Sequence, residues 1–318
     1  MLQGQYAPPA IFLMGPTAAG KTDLALFLSQ HLPVEIISVD SALIYRQMDI
    51  GTAKPGVGTL KKFPHHLVNI IDPKETYSAG RFRQDALTLM ADITRRGKIP
   101  LLVGGTMLYF KTLQYGIADL PEADIHVRER LQEQLEEYGL SALHKRLSEV
   151  DPVSAKRIHL NDPQRLLRAL EVYELSGKSL TELTQYSEFL LPYKVIKVIV
   201  SPFDRKILHK RIADRYQKMM QAGFISEVKN LYDRGDLHCS LPSIRAVGYR
   251  QAWSFLSGEY DESTFIEKAI IATRQMAKRQ LTWLRAQKDG VWFDSGIDLP
   301  EKQVLDFVRC KLAEADKA

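Results

Sequence analysis

The sequence has only two cysteines in 318 residues, Cys239 and Cys310. Two cysteines so far apart cannot give a zinc-finger or zinc-ribbon spacing, and a disulfide framework is excluded with it. No apolar run approaches the ~20 residues that span a bilayer. The start of the chain lacks the basic segment and small-residue cleavage site of a secretory leader, so the expected location is cytoplasmic, with no membrane partner. Repeats and low-complexity stretches are missing as well. Neither charge sign dominates: 43 Lys and Arg against 38 Asp and Glu leave a formal net charge of +5. That balance permits a nucleic-acid partner without requiring one. The 45% hydrophobic content is enough to bury one large core or two smaller ones.

The most informative segment lies near the N-terminus. The apolar run Ile11-Phe12-Leu13-Met14 leads into Gly15-Pro16-Thr17-Ala18-Ala19-Gly20-Lys21-Thr22, a complete G-x-x-x-x-G-K-[ST] pattern. The residues that follow, Asp23 to Leu28, read as a helix with one buried face. Strand, loop and helix in this order make a P-loop. Backbone N–H groups at the helix N-terminus wrap a polyphosphate, Lys21 adds a point charge, and the Thr22 hydroxyl holds Mg²⁺. The expectation is a di- or triphosphate bound by Gly15, Pro16, Thr17, Ala18, Ala19, Gly20, Lys21 and Thr22, with Mg²⁺ as cofactor.

Further strand candidates are Val34–Val39, Leu67–Ile71, Ile99–Val103 and Val195–Val200. Most are continuous apolar runs, the pattern of a parallel sheet covered on both faces. Helical stretches such as Gln84–Arg95 alternate with them. The predicted fold class is α/β, a P-loop NTPase-like doubly wound parallel sheet. Ligands in such sheets bind at the carboxyl ends of strands, which singles out the P-loop, Asp40-Ser41 and Gly104-Gly105-Thr106. From Pro121 to Tyr186 only helical periodicity appears, including a helix opened by Asp162-Pro163. This reads as an inserted all-helical subdomain at 115–191, within a core formed by 1–114 and 192–318. The alternative is that these helices belong to the main layer. A basic helix capped by Asp204, carrying Arg205 to Lys218 and ended by Gly223, follows the last strand. A second helix, near Ser263–Gln287, puts Arg274, Lys278 and Arg285 on one stripe. The tail after Leu312 is expected to be disordered.

The absence of Asn-Lys-x-Asp after a late strand argues against guanine recognition. Asp40 follows too closely on the first helix for the usual magnesium-holding carboxylate of a motor ATPase. At the end of a strand neighbouring the P-loop strand, it would face the space just beyond the phosphates. There it can take a proton from an acceptor nucleophile; equally, it can cap the following turn or stand behind the metal's ligands. Ser41 suits a turn. Gly104-Gly105-Thr106 is either a tight turn or a flexible backbone offering one hydroxyl. Arg128, and Gln164, Arg165 and Arg168 at helical spacing, fit solvated faces as well as phosphate contacts. His65-His66 has no acidic or cysteine company, so no metal site is expected there.

Taken together, Gly15–Thr22, Ser38–Tyr45, Asp49–Pro55, Leu102–Tyr109, Asn161–Arg165, Leu241–Arg250 and Ala272–Gln280 resemble the bacterial tRNA dimethylallyltransferases, also called tRNA isopentenyltransferases. Ala19 departs from the serine usual there. The resemblance implies transfer of a dimethylallyl group from dimethylallyl diphosphate to N6 of adenosine 37, in tRNAs that read codons beginning with U. Diphosphate is released. Asp40 matches the family's catalytic aspartate, Thr106 and Arg128 match positions contacting RNA near the reacting centre, and Thr17 matches a hydroxyl near the diphosphate. Implied tRNA contacts are Asp40, Ser41, Ala42 and Leu43; Gln164, Arg165, Leu166, Leu167 and Arg168; and Arg245, Ala246, Val247, Gly248, Tyr249 and Arg250. The inserted helices would grip the anticodon stem-loop, mainly by shape and phosphate contacts. A monomer is expected. Rival readings are a small-molecule kinase in which Asp40 orients a hydroxyl, and an RNA-binding NTPase that modifies nothing.

Overall fold

Six short strands make one sheet: Pro9–Met14 (β1), Val34–Val39 (β2), His65–His66 (β3), Ile99–Gly104 (β4), Lys194–Ser201 (β5) and Val291–Asp294 (β6). Their order is β3-β2-β4-β1-β5-β6, with every ladder parallel. This is a computed structural model, and it describes residues 7–118, 120–122, 124–184 and 190–315. The central strand is apolar on both faces because both are covered. Ile11 and Leu13 pack with Leu24, Ala25 and Leu28 of the helix Lys21–His31, and with Val304 and Val308 of the helix Glu301–Ala315. Phe12 points the other way, its ring centroid 5.1 Å from that of Phe110. Behind Phe110, Tyr109 stacks on Phe82 of the helix Ala79–Arg95.

The chain separates into two compact units, one made of residues 1–111 and 192–318, the other Thr112–Leu191. The second unit is helical among its described residues. Its core gathers Leu131, Leu143, Leu147, Ala155, Ile158, Leu166, Ala169 and Leu170. Gly139, at φ +75°, breaks the long helix Ile125–Val150 into two arms. Asp162 caps the helix Pro163–Ser176 by accepting from Arg165 N at 3.1 Å, with Pro163 in the first turn. Residues 185–189, onto which the helical pattern ran, lie outside the described residues. No helix among the described residues is long and apolar enough to cross a membrane.

Three features differ from the sequence expectation. Leu67–Ile71 is not a strand: Leu67 and Asn69 have φ of +61° and +58°, which no extended chain tolerates. Its amides turn to the 43–46 loop instead, Asn69 N to Leu43 O and Ile70 N to Ile44 O. Only His65–His66 joins the sheet, against Ile36 and Ile37. The short, half-exposed β6 was not anticipated; four residues carry too little pattern to mark a strand. The last helix continues through Ala315, beyond the expected onset of disorder at Leu312. Asp204 does cap the helix Arg205–Gln221, and Gly223, left-handed at φ +92° just past its C-cap, ends it by donating to Met220 O at 3.1 Å and opens the next helix, Phe224–Tyr232.

Gly104 is dictated by contact between backbones. A Cβ there would stand 2.0 Å from Val39 O, and neither strand can yield without parting the ladder. Gly104→Ala should therefore lower unfolding stability by about 2 kcal/mol or more, read from the urea midpoint. An unchanged midpoint would show that the two strand ends can separate freely.

Candidate active site

The P-loop begins where β1 runs out. A Cβ on Gly15 would lie 2.2 Å from Val200 O, so glycine alone lets β1 end this close to β5. Ala18 at φ +62° and Gly20 at φ +88° are left-handed, the conformation from which backbone anion cradles are built. The side chain of Ala18 makes that shape cost about 1–2 kcal/mol, and nearby contacts hold it. Ala19 is buried, and its carbonyl accepts from Ser295 Oγ at 2.9 Å. Lys21 folds back so that Nζ donates to Pro16 O at 2.7 Å. Desolvation lowers its pKa to about 8; the nearby Asp40 charge works against that shift and Arg215 adds to it.

Arg215 comes from the helix Arg205–Gln221 and completes the cationic side. Its Nη1 donates to Thr17 Oγ1 at 3.2 Å and its Nη2 to Thr52 O at 3.0 Å, while burial pulls its pKa down. Among the described residues neither Lys21 nor Arg215 has a carboxylate in ion-pair contact. Two partly desolvated cations without an ion-pair partner favour an anion between them.

The acceptor side stands across β4. Asp40 follows β2, which is not the immediate neighbour of β1, because β4 lies hydrogen-bonded between them. At ~4.8 Å per strand the two ends are ~10 Å apart. The intervening β4 runs into Gly104-Gly105, so that strand itself puts no side chain into the gap. The two carboxylate oxygens of Asp40 stand in different surroundings. Oδ1 accepts from Ala42 N at 2.8 Å and Leu43 N at 3.3 Å, capping the turn, while Oδ2 has no hydrogen bond among the described residues. Thr106 Oγ1 accepts from Ser41 N at 3.1 Å, and Thr106 N donates to Val39 O at 3.2 Å.

A cleft of ≈ 1150 Å³ joins these groups, lined by Thr17–Asp23, Asp40–Leu43, Gly104–Thr106, Arg215 and Gln280 among others. Its roof is the loop after Leu43. Lys54, only 2% exposed, holds that loop from inside by donating to Tyr45 O, Asp49 Oδ1 and Asn69 Oδ1. Glu227 holds it from outside, accepting from the backbone N–H groups of Asp49, Ile50 and Gly51 and from the Tyr249 hydroxyl.

A family model described as IPP transferase matches residues 43–287. The chain belongs to this family. It is a prenyltransferase of the tRNA isopentenylpyrophosphate transferase kind. It is 36% identical to the full-length tRNA isopentenylpyrophosphate transferase of Bacillus halodurans, over 97% of this chain and 98% of that one, with a TM-score of 0.72. The tRNA Δ2-isopentenylpyrophosphate transferase of Staphylococcus epidermidis is 32% identical over 96% and 99% of the two chains, TM-score 0.69. A eukaryotic dimethylallyltransferase acting on tRNA is 25% identical over 96% of this chain and 80% of its own, TM-score 0.82.

In this prenyltransferase the residues anticipated from sequence sort by environment. Thr17 to Thr22 line the cleft, whereas Gly15 and Pro16 lie behind it and shape it. Asp40, Ser41, Ala42, Leu43, Thr106, Arg245, Ala246, Val247 and Tyr249 line it too. Tyr249 is nonetheless fully buried, with its hydroxyl committed to Glu227, and Gly248 is buried at φ +96°. Both are packing residues rather than surface contacts. Arg245 and Arg250 are exposed. In the helical unit Leu166 is fully buried and Leu167 packs on the same core. The exposed side chains of that turn are Gln164 and Arg165. Arg168 and Arg128 both bind the buried Glu171, through Nη1 at 2.7 Å and Nε at 2.8 Å. Neither is the free surface charge that an isolated amphipathic helix suggests. Sequence reading alone missed Arg215, counted as one of several surface cations, and also Gln280, Lys54 and Glu227, whose partners lie far away in sequence.

Because Lys21 loses its proton near pH 8, its help in binding an anion fades as pH rises through that value. Calorimetry with inorganic diphosphate should show wild type binding more tightly than Lys21→Met at neutral pH. The advantage should shrink above about pH 8. A pH-independent ratio would mean that Lys21 keeps its charge throughout.

Proposed function

We propose that this prenyltransferase moves a dimethylallyl group from dimethylallyl diphosphate to N6 of adenosine 37, beside the anticodon of tRNAs reading codons that begin with U. The observation that carries the reading is that Lys21, Arg215 and Asp40 line one cleft, on either side of the strand end at Gly104-Gly105. N6 attacks the allylic carbon as the carbon–oxygen bond to diphosphate breaks, and the bond electrons leave with the diphosphate oxygen. Lys21, Arg215 and the P-loop amides stabilise the charge growing there. The adenine amine is a weak nucleophile because its lone pair is delocalised into the ring. Asp40 Oδ2 orients it and takes its proton as the N–C bond forms. Adenosine 37 must leave its stack to reach this depth.

Mg²⁺ fits the site in a restricted way. Among the described residues no group of three or more His, Cys, Asp or Glu can hold a metal. Thr22 lines the cleft and offers one hydroxyl, so the remaining ligands would be water and the diphosphate itself, as Mg²⁺ prefers. Bound there, the ion would supply further charge to the leaving group.

Asp40→Ala should lower turnover by about 10²–10⁴-fold while tRNA affinity changes far less. Mass spectrometry of tRNA nucleosides reads it directly, as adenosine heavier by one five-carbon unit. Near-normal turnover would remove Asp40 from proton transfer. For RNA contact, Arg165 is 73% exposed and Arg168 30%. Arg165→Ala should reduce the salt slope of tRNA binding by about 1. Arg168→Ala should instead lower thermal stability, since it strips a partner from the buried Glu171. A reduced salt slope for Arg168→Ala with unchanged stability would reverse these assignments.

A further inference from the structure

Gln280 bridges the two halves of the cleft. It sits on the helix Glu262–Arg285, whose buried stripe is Phe265, Ala269, Thr273, Ala277, Leu281 and Leu284. Gln280 lies off that stripe and lines the cleft with Met276, one turn earlier. Both ends of its carboxamide are used. Oε1 accepts from Thr17 N at 2.9 Å, and Nε2 donates to Gly105 O at 2.9 Å. One partner can only donate and the other only accept, which fixes the orientation of the amide. No carboxylate or ammonium could make both bonds.

The two partners belong to opposite sides of the reaction. Pro16 has no N–H, so Thr17 N, the group Gln280 holds, is the first backbone N–H of the P-loop after Gly15, and the Thr17 hydroxyl accepts from Arg215. Gly105 immediately precedes Thr106, which accepts from Ser41 N, next to Asp40. Glycine at 105 leaves room for the amide: a Cβ there would lie 2.5 Å from Gln280 Nε2 and 3.1 Å from Gly15 O, so the amide would have to shift. The space a side chain would fill is the space the amide uses.

We propose that Gln280 is a positioning residue for group transfer, tying Thr17 to Gly105 and so fixing the separation between the anion cradle and the Asp40 carboxylate. This rests on the prenyl-transfer reading above. The donor's leaving group and the acceptor amine are held on different strands, and displacement along the line between them tolerates little error. An amide across the gap keeps the spacing without adding charge beside the diphosphate.

Gln280→Met keeps the length of the side chain and loses both hydrogen bonds. Turnover should fall by about 10–100-fold, while KM for dimethylallyl diphosphate and for tRNA stay within about threefold. Gly105→Ala should cause a similar loss by displacing the amide, and the double variant should be little worse than the poorer single one. Thermal midpoints establish that each protein is folded. Should Gln280→Met fold poorly, Gln280→Glu serves in its place, since it keeps an acceptor for Thr17 N and loses the donor to Gly105. Turnover within about twofold of wild type would overturn the proposal, as would fully multiplicative losses in the double variant. A KM for dimethylallyl diphosphate that rises as steeply as turnover falls would overturn it too, making Gln280 a ligand contact. A wild-type enzyme forming no prenylated adenosine would sink the parent reading and this one together. Unchanged turnover in Gln280→Met beside an active wild type sinks this one alone.

Discussion

The cleft exists because β4 is hydrogen-bonded between β1 and β2 and ends in two glycines. Ladder spacing sets the P-loop after β1 and the carboxylate after β2 two strand widths apart, and Gly104-Gly105 put no side chain between them, which leaves the space that the Gln280 amide occupies. Gly104 has no room for a Cβ against Val39 O, and Gly15 has none against Val200 O. Tight packing of strand ends and open space above them are therefore one constraint, met by removing side chains where three strands finish together.

The loop laid over these strand ends buries Ile44, Tyr45 and Met48 and is tied at its backbone by polar side chains. Lys54 stitches the roof loop at Tyr45, Asp49 and Asn69; Glu227 gathers three successive amides; Arg215 joins Thr52 to the P-loop. Lys21 and Arg215 donate to carbonyls and a hydroxyl, with no carboxylate in ion-pair contact among the described residues.

The sequence was most legible where chemistry is local. The P-loop declares itself within eight residues, and continuous apolar runs mark four of the strands because a doubly covered sheet needs them. The cap at Asp162 and the one at Asp204 follow from residue type alone. What stayed hidden depends on distance along the chain. Gln280 contacts Thr17 and Gly105, and nothing within its own helix distinguishes it from a solvated glutamine. Arg215 is one cation among several on its helix until the fold chooses it. Leu67–Ile71 looked like a strand because Ile70 and Ile71 are β-branched, but left-handed residues at Leu67 and Asn69 divert the chain to pair with a neighbouring loop. Leu166 and Tyr249 each lie in a stretch that the resemblance implies touches RNA, and each is buried, which residue type alone does not reveal.

The carboxylate of Glu227 has a consequence for how the protein comes into being. The loop it gathers, Asp49–Gly51, leaves the ribosome long before residue 227 does, and the same is true of the P-loop relative to Arg215 and Gln280. Even the central strand β1 lacks one neighbour until Lys194–Ser201 emerges. During synthesis the phosphate loop and the acid are therefore present early but unfastened. The final hundred or so residues act as a latch, so that a nascent fragment carries the chemical groups without the geometry that would let them work.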